Sequence, residues 1–238
     1  MRLSGSLAFV LFVSIAGAAS AASADVEDCA KANGEKAVAA CTRVIQDASA
    51  EAKSRTVAQF NRALAYSRMG DFDRAIPDYS AVIKIEPQDA NVIGNRGRAY
   101  VAKGDLDRAL ADFDAAIRIR PHTTDYINRA VAYYRKGDAD AAIADYSAAI
   151  KLNPKLAIAY HNRGLAYVRK RDDDRAIADF SEAIALDAAN ASRYLERGDA
   201  YRRKGDRNRA IADFRKTLEL NPKDDDARKL LERLGVKP

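Results

Sequence analysis

The feature that most constrains this chain is a phrase it says five times. Residues 95–121 read NRGRAYVAKGDLDRALADFDAAIRIRP, and close variants open at Asn61, Asn128, Asn162 and Glu196. The closing residues Pro87, Pro121, Pro154, Ala188 and Pro222 stand 34, 33, 34 and 34 apart. Self-similarity at that period marks helix–turn–helix solenoids, in which each copy buries its apolar face against its neighbours. The prediction is an all-α fold.

Composition agrees. Of 238 residues 48% are hydrophobic, enough for a sizeable core, and the helix formers Ala, Arg, Lys, Glu and Leu abound. The N-terminus reads differently from the repeats. A positive start at Arg2, an apolar run Leu7–Ala16 and small residues ending in Ala22-Ser23-Ala24 predict a signal peptide over residues 1–24. The competing reading, an uncleaved anchor, is disfavoured by the short apolar run. The expected mature chain starts at Asp25, has no membrane span and is periplasmic or secreted. Without Arg2 it carries 39 basic and 34 acidic residues, a well-mixed net charge of +5. That is no footprint for nucleic acid. In an oxidising compartment the two cysteines, Cys29 and Cys41, favour a disulfide over two buried free thiols. With no histidine near them, metal binding is not expected.

Along the mature chain, residues 25–52 read as a shortened repeat. Ala37–Ile45 matches Ala142–Ile150, which puts Cys41 in the place of Tyr146 and Gly34 in the place of Gly137. A Cys29–Cys41 bridge would stabilise this end unit by about 3 kcal/mol through loop closure. Full repeats follow at 56–89, 90–122, 123–156, 157–190 and 191–224. In the second, a helix from about Asn91 to Lys103 is expected to end at Gly104, with Asp105 capping its partner toward Arg118. Gly70-Asp71, Gly137-Asp138 and Gly205-Asp206 repeat that turn, but the fourth copy has Arg171-Asp172, so its turn should be strained or built differently. Residues 225–238, with Leu230, Leu231 and Leu234 on one side, read as a capping helix.

These residues resemble the tetratricopeptide repeat (TPR) family, a right-handed α-solenoid of helix–turn–helix repeats. The family's small residue of the first helix matches Ala63, Gly97, Ala130, Gly164 and Gly198, and its Tyr matches Tyr66, Tyr100, Tyr133, Tyr167 and Tyr201. Its second-helix Ala matches Ala75, Ala109, Ala142, Ala176 and Ala210, and its aromatic Tyr79, Phe113, Tyr146, Phe180 and Phe214. The departures are informative. The family's Trp becomes Gln59, Ile93, Tyr126, Tyr160 and Tyr194, and its Leu becomes Arg62, Arg96, Arg129, Arg163 and Arg197. An Asp also precedes each aromatic: Asp78, Asp112, Asp145, Asp179 and Asp213. An Arg–Asp ladder between paired helices is predicted, in preference to an anion-binding Arg stripe.

The resemblance implies a concave groove, lined by first helices, that binds a peptide or helix of a partner protein. Carried over by position, Asn61, Asn95, Asn128 and Asn162 form a row facing that groove, unless they bond neighbouring repeats instead. The residues Arg98, Ile127, Tyr134, Arg135, His161, Arg169, Asp199 and Arg202 vary between copies, as recognition residues would. The carboxylate clamp of some TPR domains needs a Lys where this chain has Phe60, Gly94, Ile127, His161 and Leu195. A basic edge at the first-helix ends, from Arg68 and Lys103 to Arg135-Lys136, Arg169-Lys170-Arg171 and Arg202-Arg203-Lys204, offers an alternative surface for anionic envelope polymer or lipid. The duller account of that edge is helix-dipole compensation. No catalytic constellation is present: His122 and His161 fall in different repeats, and no phosphate loop or metal cluster is seen. The expectation is a non-catalytic scaffold of the bacterial cell envelope, without cofactor.

Overall fold

Alanine-rich segments, each fenced by a glycine turn and an aspartate, leave helix as the cheapest way to satisfy this backbone. The computed structural model describes residues 24–237, so the signal peptide expected over residues 1–24 lies outside them except for Ala24, as does Pro238. The chain forms two compact units, one ending at Pro87 and one starting at Gln88. No described helix is long and apolar enough to cross a membrane.

The first unit contains α1 (24–31), α2 (Gly34–Gln46), α3 (Ala52–Arg68) and α4 (Phe72–Ile85). The predicted disulfide is present: Cys29 and Cys41 are joined, with Cα atoms 4.6 Å apart. Both are buried with Ala40, Val44 and Ala58, so the bridge fills the space an aromatic ring fills in the full repeats.

The second unit pairs α5 (Ala90–Lys103) with α6 (Leu106–Ile119), α7 (Thr123–Lys136) with α8 (Ala139–Leu152), α9 (Ala157–Arg169) with α10 (Asp173–Leu186), and α11 (Ala191–Arg203) with α12 (Arg207–Leu220). Helix α13 (Asp225–Arg233) packs on α12, and its Leu231 is fully buried with Phe214 and Ala210. Here each helix packs on the next in sequence, as a solenoid requires.

The inter-helix turns behave as their residues dictate. Gly104 adopts φ 82°, the left-handed conformation that closes a helix end, and Asp105 accepts the Arg108 N–H to cap α6. The fourth copy makes the same turn without glycine: Arg171 is the one non-glycine residue at positive φ (59°) among the described residues, with Asp172 N–H bonded to Tyr167 O at 2.9 Å. The expectation of strain there holds. An Arg side chain is forced where its siblings keep glycine.

Small residues and rings are matched pair by pair. Gly97, Gly164 and Gly198 face Phe113, Phe180 and Phe214, and a Cβ on any of them would come within 2.7–2.8 Å of the ring. Where the small residue is Ala63 or Ala130, the aromatic of the same repeat is Tyr79 or Tyr146. Those hydroxyls find partners, Ser67 Oγ at 3.1 Å and the Asn162 side chain respectively.

The Arg–Asp ladder exists in every copy. Each Arg presents Nε and Nη2 to the two carboxylate oxygens of its Asp at 2.7–2.8 Å, across both paired helices. All five aspartates are buried. The third nitrogen reaches the preceding repeat: Arg62 Nη1 to Thr42, Arg129 to Asp114, Arg163 to Ser147 and Arg197 to Ser181, at 2.5–3.1 Å. The paired carboxylate holds each guanidinium pKa above its usual range. Four of these arginines thus tie three helices together, and the row is not an anion stripe.

Candidate functional site

Function must lie in side chains that the scaffold leaves unused. Most of the basic first-helix ends are used. Lys136 pairs with Asp107, Lys170 with Asp140, Arg203 with Asp173 and Lys204 with Asp174, each reaching the preceding repeat. Arg135 Nη1 donates to Val101 O and Arg169 Nη1 to Tyr134 O, both at 2.7 Å, and the Arg169 guanidinium also sits 5.2 Å from the Tyr134 ring centre. These cations are repeat-to-repeat connectors, so Tyr134, Arg135 and Arg169 belong to the stack.

The Asn row divides. The Asn162 side chain lies beside the Tyr146 hydroxyl and moderates the rise of its pKa, a neighbouring-repeat contact. Asn61 points at the Cys29 sulfur at 4.0 Å beside an apolar pocket lined by Val26, Val44 and Val57. Asn95 Oδ1 accepts from Arg98 Nη2 at 2.5 Å. Asn128 is different: its Nδ2 is buried and has no partner among the described residues. Ile127 packs against Ala130 and Tyr146. His161 lies 5.6 Å from the Phe180 ring, its Nδ1 unpartnered and its pKa held below 6.5 by burial and by Arg193. Asp199 accepts from Arg202 Nε at 2.7 Å and also from Arg203.

Two recesses open on the first helices of the second unit. One, between α5 and α7, is lined by Asn91, Gly94, Asn95, Arg98, Asp125 and Asn128, with His122 and Thr124 at its edge. The other, between α11 and α13, gathers Glu196, Asp199, Arg202, Asp226, Lys229 and Arg233. Sequence reasoning found Asn95, Arg98 and Asn128 of the first, and Asp199 and Arg202 of the second. It missed Asp125 and Glu196, carboxyls whose pKa burial pushes above the ordinary range. The break of the Asn row at Glu196 was the visible signal for the latter.

Tetratricopeptide repeat models match residues 60–122, 157–190 and 191–224, and a TPR repeat model matches 130–170, together more than half of the chain. The chain belongs to the tetratricopeptide repeat family. Comparison with curated proteins finds no match. Among solved structures, a MamA crystal structure is 28% identical with a TM-score of 0.65, covering 68% of this chain and 96% of MamA. MamA from Desulfovibrio magneticus RS-1 is 24% identical at a TM-score of 0.67, covering 71% and 97%. YrrB, described as a TPR protein with an unusual peptide-binding site, is 19% identical at a TM-score of 0.67, covering 81% and 97%. This TPR chain thus shares its fold with YrrB, while its site residues stand on their own geometry. Among its described residues no group of three or more His, Cys, Asp or Glu could hold a metal ion.

Proposed function

We propose that the face formed by α5, α7, α9 and α11 binds an extended peptide segment of a partner protein, making this chain a non-catalytic interaction scaffold. The observation that carries the reading is the Asn128 amide nitrogen, buried in a recess with no partner among the described residues. An amide edge both donates and accepts, which suits a peptide backbone. The peptide-binding site ascribed to YrrB gives the reading a precedent in the fold. The alternative, anionic polymer or lipid on the basic edge, is weakened because those cations are paired between repeats.

The finer reading places this scaffold in the bacterial cell envelope, with residues 1–24 removed on export. The Cys29–Cys41 bridge supports an oxidising compartment. Co-purification of the tagged protein at low and high salt tests the surface: a partner retained in high salt and lost on Asn128→Ala supports the groove. Binding abolished by salt alone supports the basic edge. Mass measurement of the exported chain should find Asp25 at its N-terminus.

A further inference from the structure

The recess between α5 and α7 departs from the repeat pattern at two facing positions. The place of Gly94 is held in the other copies by Phe60, Ile127, His161 and Leu195, all bulky. The place of Asp125 is held by Ala58, Val92, Ala159 and Arg193, all buried. In this one recess the bulk is dropped and a carboxylate is introduced, and the two changes fit each other. A Cβ on residue 94 would come within 2.6 Å of Asp125 Oδ1. Gly94 lies inside α5, where the backbone makes no demand for glycine. Room for the carboxylate is the demand.

Among the described residues no side chain hydrogen-bonds the Asp125 carboxylate. The basic side chains near it, Arg98, Arg120 and His122, act on it only through space. Two of them are held elsewhere: Arg98 Nη2 on Asn95 Oδ1 and Arg120 Nη2 on Asn91 Oδ1, each at 2.5 Å. Asn128, three residues further along α7 and so on the same face, adds its unpartnered buried amide nitrogen. A buried amide donor without a partner, beside a half-buried carboxylate that no cation hydrogen-bonds, favours a ligand that brings both an acceptor and a cationic donor.

We propose that this recess is a specificity pocket for one basic side chain, lysine or arginine, of the bound peptide. Its cation sits on Asp125, and the adjoining main-chain carbonyl accepts the Asn128 amide. The assignment rests on the peptide-binding reading and adds to it the chemistry of one ligand position. Asn95 and Arg98 form the wall, with Arg98 drawn aside by Asn95 so that it does not neutralise the seat.

A displayed random-sequence peptide library, selected in parallel on the purified protein and on Asp125→Asn, tests this. That substitution keeps the shape that fits Gly94 and removes the charge. The expected result is enrichment of Lys or Arg at one peptide position for the unaltered protein and loss of that bias for the variant. A selected peptide should lose about tenfold or more in affinity on Asp125→Asn. It should lose as much when its basic residue becomes norleucine, and little more when both changes are combined. Gly94→Ala, which crowds the seat, should weaken the same peptide, with the helical circular dichroism spectrum confirming that both variants fold. Selected peptides without basic bias, or a bias that survives Asp125→Asn, would overturn the pocket and leave the peptide groove standing. Failure to select any peptide would overturn both.

Discussion

Arg163 grips Asp179 with two parallel hydrogen bonds, Nε to Oδ2 at 2.7 Å and Nη2 to Oδ1 at 2.8 Å, in a site where the carboxylate is almost wholly buried. Desolvation and attraction nearly cancel in such a pair, so its strength shows only when it is broken unevenly. Asp179→Ala should destabilise the protein by about 3–5 kcal/mol because it strands a guanidinium. Replacing both, Arg163→Met with Asp179→Leu, should recover most of that loss. Urea denaturation followed by circular dichroism reads both; equal losses in the single and double variants would refute the argument.

The match between small residue and ring predicts a second coupling. Gly164→Ala would drive a methyl group to 2.7 Å from the Phe180 ring and should cost about 1–3 kcal/mol through overpacking. Ala130→Gly, facing Tyr146, should cost about 1 kcal/mol in helix propensity and lost packing. Paired with Phe180→Tyr, which recreates the combination of the third repeat, Gly164→Ala should cost less than the sum of the single changes. Strict additivity in a double-mutant cycle would count against it.

Arg171 offers the opposite case, a site where evolution has left stability unclaimed. Its φ of 59° is one that glycine adopts freely. Arg171→Gly should raise stability by about 0.5–1 kcal/mol, read as a shift in the urea midpoint. A fall in the midpoint would mean that the Arg side chain makes a compensating contact.

His161 sets a pH dependence. Burial holds its folded-state pKa below the ordinary 6.5, so as pH falls the unfolded chain binds the proton first. Its contribution is therefore intact above about 6.5 and is lost as the pH drops below that value. Denaturation at pH 8 and 5.5 should show the decline, and His161→Phe should flatten it. Asp125 and Glu196 are raised by burial, so they act with the opposite sign and only in the lower, carboxylate range.

What repeats was legible, and what departs from the repeat was not. The helix pairs, the Gly–Asp turns and the Arg–Asp ladder follow from features that recur in four or five copies, because periodic placement converts directly into facing geometry. The strained Arg171 was the one departure that showed, because it stands where its siblings keep glycine. The third bond of Arg62, Arg129, Arg163 and Arg197 was missed, although its signal stood in the sequence: Thr42, Asp114, Ser147 and Ser181 each follow the position of the aromatic or its substitute. The pairing of the basic helix ends was missed, because their acidic partners lie 29–30 residues earlier, in another repeat. The seat of Asp125 on Gly94 was invisible for a further reason. It joins two positions that are unremarkable alone and meaningful only when the helices lie side by side.

The inter-repeat Arg contacts also bear on how such a chain changes length. Arg163 and Arg197 each reach back to a serine at the same place in the preceding repeat, Ser147 and Ser181. Excising residues 157–190 would bring Arg197 against Ser147, so the join would find its bonding partner already waiting. A gene that duplicates or loses one such unit inherits a working seam, and the number of repeats can drift while the ligand-reading recess at Gly94 and Asp125 stays intact.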